Sequence, residues 1–114
     1  MSNNKNARLD IIDDTIGFDE TVIFDVLALL FDPGAGLKKR EAEGYLVLTS
    51  QRLIFATVWH GILVDLARTE IAAPASVTFR WMTAHLIVGA DEGTKHTFVV
   101  NKHVVRDIAL AINA

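Results

Sequence analysis

Four histidines, three pairs of adjacent carboxylates and one run of basic residues are the groups in this 114-residue chain that could do chemistry. His85 and His96 lie in segments that read as the two arms of a hairpin around Asp91-Glu92-Gly93-Thr94. Two imidazoles facing each other across a strand pair would begin a metal site. Counting back from that loop sets Ala90 opposite Lys95, His85 opposite Val100 and His96 opposite Gly89, so the two rings do not meet. His60 and His103 fall on separate elements. The pairs Asp13-Asp14 and Asp91-Glu92 sit on predicted surface elements, where a general acid and base would lack a pocket. Apart from Ser2, the serines are Ser50 and Ser76, and neither stands in a Gly-x-Ser-x-Gly elbow. Gly34 and Gly36 flank only Ala35, and no Lys-Ser/Thr pair follows to hold a phosphate. The absence of cysteine excludes thiol nucleophiles, Cys-ligated zinc, iron–sulfur clusters and disulfides. The expectation is no catalytic group, no metal and no cofactor. Lys38-Lys39-Arg40 is different, because a basic run can attract an anion without a catalytic pocket.

These residues sit in a chain that is 51% apolar, with 11 basic and 14 acidic side chains, net −3, and a mean hydropathy of +0.31. That is one domain's length with enough apolar content for a core, and it excludes disorder. The negative balance argues against a broad nucleic-acid surface. The uncharged stretch Val26 to Phe31 is far short of the ~20 residues that cross a bilayer, and no uncharged run in the chain reaches that length. The start, Met-Ser-Asn-Asn-Lys-Asn, is polar with no apolar run behind it, so a cytoplasmic location is expected.

Leu9, Ile12 and Ile16 share one helical face, and Gly17 ends that short helix. Residues 1–17 thus read as a tail and helix, and 18–114 as the domain. Seven short apolar segments follow: Thr21–Phe31, Gly44–Thr49, Arg52–Trp59, Ile62–Ala67, Val77–Trp81, His85–Ala90 and Lys95–Val100. Turn signals separate them, including Pro33-Gly34 and His60-Gly61, where Gly61 can supply a positive φ. Val77, Phe79 and Trp81 alternate with Thr78 and Arg80. The period then changes. Val104, Val105, Ile108, Ala109 and Ile112 line one face of a C-terminal helix, with Asn101 as its cap. The class is mainly β, α+β by count, with antiparallel strands.

The segment Glu43-Gly44-Tyr45-Leu46-Val47-Leu48-Thr49-Ser50-Gln51-Arg52-Leu53-Ile54-Phe55 resembles the Gly-x-Leu-x-Leu-Thr-x-x-Arg-Leu-Ile-Phe signature of GRAM domains and bacterial pleckstrin-homology-like domains. Asp19-Glu20 ahead of strand one and Asp65-Leu66 with Ile71 are similar to the flanking pattern of those families. The resemblance spans roughly residues 18–112. It implies a seven-stranded antiparallel barrel closed by the C-terminal helix, and a binding module rather than an enzyme. In physical terms, Thr49 can bond the turn it opens, and Arg52 can lay its stem on the sheet with its head in water. The resemblance also implies that the loops after strands one, three and six share one end. That would set Lys38, Lys39 and Arg40 beside Trp59 and His60 as a contact for anionic lipid. Three cations supply about 3 kcal/mol there, less than the ~4 kcal/mol of millimolar binding. Glu41 and Glu43 stand where lipid-binding members of the eukaryotic family carry basic residues.

Val26-Leu27-Ala28-Leu29-Leu30-Phe31 breaks the alternation of a half-buried strand, so both of its faces want cover. Either the N-terminal helix lies over the outer face with Leu9, Ile12 and Ile16, or a second subunit or protein partner does. Trp81 and Met82 add apolar area of the interface kind, unless Trp81 caps the core. The expected interface is therefore Leu27, Leu29, Phe31, Trp81 and Met82. A rival reading is a cone-shaped carrier or enzyme, with Asp25 or Asp65 working at the mouth of a wide cavity.

Overall fold

A computed structural model describes residues 10, 12–31, 41–72, 74–91 and 93–114. Seven antiparallel strands form a single sheet: β1 (Val22–Phe31), β2 (Glu41–Thr49), β3 (Arg52–Thr57), β4 (Gly61–Ala67), β5 (Ser76–Phe79), β6 (Thr83–Gly89) and β7 (Lys95–Asn101). Their order across the sheet is β4-β3-β2-β1-β7-β6-β5, and helix α1 (Val105–Asn113) follows the last strand.

Alternation builds the core. Ala84, Leu86 and Val88 of β6, Phe98 and Val100 of β7, and Val64 and Leu66 of β4 all point to one face. Leu46 and Leu48 join them, as do Leu53 and Phe55. Helix α1 adds the stripe Val105, Ile108, Ala109 and Ile112, and packs on β5 and β6. The sheet is strongly curled. β3 and β7 stand three places apart, roughly 14 Å in a flat sheet, yet the Phe55 and Phe98 rings lie 5.6 Å apart. Among the described residues β4 and β5 do not pair, so the sheet is not closed into a barrel. The connector from β4 turns through a 3₁₀ turn (Arg68–Glu70) and bonds the end of β6 instead: Ala72 N–H donates to Gly89 O at 2.8 Å and Asp91 N–H to Glu70 O at 2.9 Å.

Arg68 closes the helix end. Its Nη2 donates to the carbonyls of Ala111 (3.0 Å), in the last turn of the helix, and of the C-cap residue Ala114 (3.1 Å). Asn113 adds a side-chain bond, accepting from Ala75 N–H at 2.7 Å. Arg68→Ala is expected to destabilise the domain by about 1–3 kcal/mol in urea unfolding, the range for hydrogen bonds to charged groups. Lys should recover less than half of that loss, since it lacks the guanidinium fork.

Several expectations are corrected. Asn101 does not cap the helix: Val104 does, and Asn101 Oδ1 accepts from His103 N–H at 2.7 Å to pin the preceding turn. β5 ends at Phe79, so Trp81 leaves the strand and does not share Val77's core face. Gly89, not Ala90, pairs with Lys95, because the loop is one residue longer and closes through Ala90 N–H to Thr94 O at 2.8 Å. His85 therefore faces Val99 and His96 faces Val88. The N-terminal helical turn (residues 12–15) does not cover β1. Ile12 and Ile16 pack on Val47, Ile54 and Ala56, the outer face of β2 and β3. Tyr45 and Ile62 complete this second apolar cluster on the outer face.

Candidate functional site

With the N-terminal turn over β2 and β3, the outer face of β1, β7 and β6 carries no covering element among the described residues. Cross-strand partners share a face, and the register sets two rows there. One row runs Leu29, Val99, His85, and the next runs Phe31, Thr97, Ile87. Leu27 begins the patch and is 60% exposed; Phe31 is 42% exposed. The Phe31 ring lies 6.2 Å from the imidazole of His85, centroid to centroid, in a tilted arrangement. Of the expected interface residues, Leu27, Leu29 and Phe31 thus lie together. Val99 and Ile87 belong with them and were missed. The signal was present: Leu86-Ile87-Val88 and Phe98-Val99-Val100 break alternation just as β1 does.

Trp81 (86% exposed) and Met82 lie elsewhere, at the tip of the β5–β6 turn. The register separates the two ends of the sheet. Phe31 pairs with Glu41 and with Thr97, and Thr57 with Gly61, so the end of β1, the β3–β4 turn and the β6–β7 turn share one end. Trp59 (88% exposed) and His60 are there, as expected. Gly61 has the expected positive φ of 70° and Gly93 one of 90°. Lys38, Lys39 and Arg40 lie outside the described residues. Val22 pairs with Thr49 and Thr83 with Asn101, so Ser50–Gln51, Arg80–Met82 and Lys102–Val104 form the opposite end.

The polar centre of the molecule is built by the Thr49-x-x-Arg52 signature. Thr49 Oγ1 accepts from Gln51 N–H (3.1 Å) and Arg52 N–H (3.0 Å), the turn bond expected of it, and donates to Glu20 Oε2. Arg52 does not keep its head in water. Nε and Nη2 grip the two oxygens of Glu20, each at 3.0 Å, and Nη1 reaches Asp65 at 3.1 Å. Nη2 also donates to Thr15 O at 2.6 Å, which moors the N-terminal turn. The Arg52 guanidinium, against the opposing effect of burial and aided by Thr49 and the Gly17 N–H, holds the Glu20 carboxyl well down from 4.5, to about 2. Every strong donor in this cluster is already matched with an acceptor, so its chemistry is structural: it rivets the chain before β1 to β2, β3 and β4.

Among the described residues no three His, Cys, Asp or Glu side chains gather as metal ligands do. A groove of about 220 Å³ beside the helix end is lined by Arg68, Ile71, Ala72, Pro74, Ile112 and Asn113. Neither Asp25 nor Asp65 lines it. Among the described residues no helix is long and apolar enough to cross a membrane.

No family model matches the chain, and no curated protein matches it. It is similar to the crystal structure of the C-terminal domain of an unknown protein from Leishmania infantum, with a TM-score of 0.67 and 16% identity over 96% of this chain and 93% of that one. Likeness at that identity concerns the fold alone.

Proposed function

We infer that the chain is a non-enzymatic, pleckstrin-homology-like interaction module that self-associates through the outer face of β1, β7 and β6. The observation that carries this reading is the apolar patch in which Leu27 and Phe31 are exposed and Leu29, Val99 and Ile87 beside them are half-buried. The patch lies on paired strands, and on the β2 side it is bordered by the acidic positions Glu43, opposite Leu29, and Glu41, opposite Phe31. Side chains of this size gain roughly 1.5–3 kcal/mol each when fully buried, enough to offset the cost of association when several bury together. A twofold dimer would set the patch against itself, doubling its apolar area without a second surface. The Gly-x-Leu-x-Leu-Thr-x-x-Arg-Leu-Ile-Phe resemblance and the curled seven-stranded sheet with its C-terminal helix support the module class.

Sedimentation equilibrium should give a dimer mass at about 100 µM, corresponding to a Kd of tens of micromolar. Leu27→Glu places a charge where the side chain is already in water, so the fold should persist and the mass should fall to the monomer. A monomer mass for the unaltered chain up to about 500 µM would count against the reading. So would an undiminished dimer in Leu27→Glu.

A further inference from the structure

The end of the sheet opposite Trp59 carries a second surface, of different chemistry. β5 stops after four residues at Phe79, and Arg80 N–H donates to Thr83 O at 2.9 Å to close a tight turn. That turn throws Trp81 and Met82 past the sheet, with Phe79 behind them, all three exposed. β7 ends opposite Thr83, so the turn into the helix lies alongside. Lys102 Nζ donates to Trp81 O at 3.3 Å, and the Arg106 guanidinium stands 5.3 Å over the Phe79 ring. With Arg80, three cations surround three apolar side chains. Among the described residues none of the three pairs with a carboxylate. Asp107, in the first turn of α1, is the acidic residue on this part of the helix, and His103 completes the turn.

We propose that this tip docks on an anionic phospholipid surface, with Trp81 and Met82 at the headgroup–acyl boundary and Arg80, Lys102 and Arg106 on lipid phosphates. A projecting tip has no pocket in which to receive a protein's anchor residue. Its mix of tryptophan, aliphatic area and long basic side chains is that of membrane-interface contacts. Lysine is depleted from protein–protein interface cores. Each cation near an anionic surface raises partitioning about fivefold. Three cations offset by Asp107 give roughly 25-fold tighter binding to anionic than to neutral vesicles at low salt.

The chain has two tryptophans, Trp59 and Trp81, one at each end of the sheet, so they act as separate reporters. The full chain as Trp59→Phe (Trp81 emitting) and as Trp81→Phe (Trp59 emitting) is titrated with vesicles of phosphatidylcholine alone and with phosphatidylserine added. The expected result is a blue shift of Trp81 on the anionic vesicles, little on the neutral ones, and none of Trp59. Arg80→Glu with Lys102→Glu, in the Trp59→Phe chain, should abolish it while leaving circular dichroism unchanged. A Trp59 shift equal to or larger than that of Trp81 overturns the proposal by moving the contact to the other end. No shift in either variant overturns it too. A Trp81 shift that follows protein concentration without vesicles reassigns the tip to self-association and overturns it as well.

Discussion

Gly44→Ala should cost about 3 kcal/mol or more, enough to unfold much of a domain of this size. A Cβ at Gly44 would sit 2.2 Å from Ala56 O and 3.0 Å from both the Ala56 carbonyl carbon and Phe55 Cζ. Carbon atoms rest about 3.5–4.0 Å apart, and the nearest obstacle is backbone, which cannot rotate away. β3 is held there from both sides: Tyr45 pairs with Ala56 on one edge, and the bulge between Phe55 and Ala56 meets β4 on the other. The missing side chain at Gly44 therefore lets β2 cross close to β3 and curl the sheet. Gly89→Ala is the matched control. Its Cβ would meet nothing within 4 Å, and its φ is not in the left-handed region, so it should be neutral or gain a few tenths of a kcal/mol. Urea midpoints of the two variants decide the matter. A loss below about 1 kcal/mol at Gly44 would mean that the strands do not approach this closely.

The second large effect is at Glu20. Glu20→Gln should lose about 3 kcal/mol at pH 7, because it strips the buried acceptor from Arg52 and turns an amide donor toward a guanidinium. The same magnitude follows from the carboxyl itself, which is held from 4.5 to about 2 by the Arg52 hydrogen bonds ahead of Thr49 and Gly17. The unfolded chain binds this proton more tightly than the folded one. The stabilisation is thus complete above the unfolded value of about 4.5 and fades as pH falls toward 2. The stability gap between wild type and Glu20→Gln, measured by urea unfolding from pH 7 to pH 2.5, should close through that window. A gap that stays constant would show that Glu20 does not titrate low. Thr49→Val should remove part of the same effect, since the hydroxyl both donates to Glu20 and accepts from the turn.

Much of this was legible in the residues, and the reasons are local. Period two in Leu46-x-Leu48 and Leu53-x-Phe55, and the helical stripe Val105, Ile108, Ile112, placed core residues without reference to anything distant. Gly61 at a two-strand turn and the Thr49 hydroxyl at the β2–β3 turn were likewise decided by neighbours within four residues. The broken alternation of Val26–Phe31 correctly marked a strand apolar beyond what one face needs.

What the residues could not state was which surface each excess faces, because that depends on partners far along the chain. Ile12 and Ile16 read as one of two possible covers for β1, yet they pack on Val47, Ile54 and Ala56 of β2 and β3, where Arg52 moors Thr15. The slip of His85 from Val100 to Val99 turned on a single loop residue, Ala90, whose bond to Thr94 propensity does not encode. Glu20 looked like one of two acidic residues ahead of a strand; only the fold brings it to an arginine 32 positions away and buries it. Trp81 could follow Val77 into the core or leave it, and the close turn from Arg80 to Thr83 sent it outward beside Lys102 and Arg106. The sequence by itself determined seven strands, a C-terminal helix and an apolar surplus in strand one. The tertiary structure decided where that surplus is exposed, because burial is a property of the curled sheet as a whole, and no window of neighbouring residues contains it.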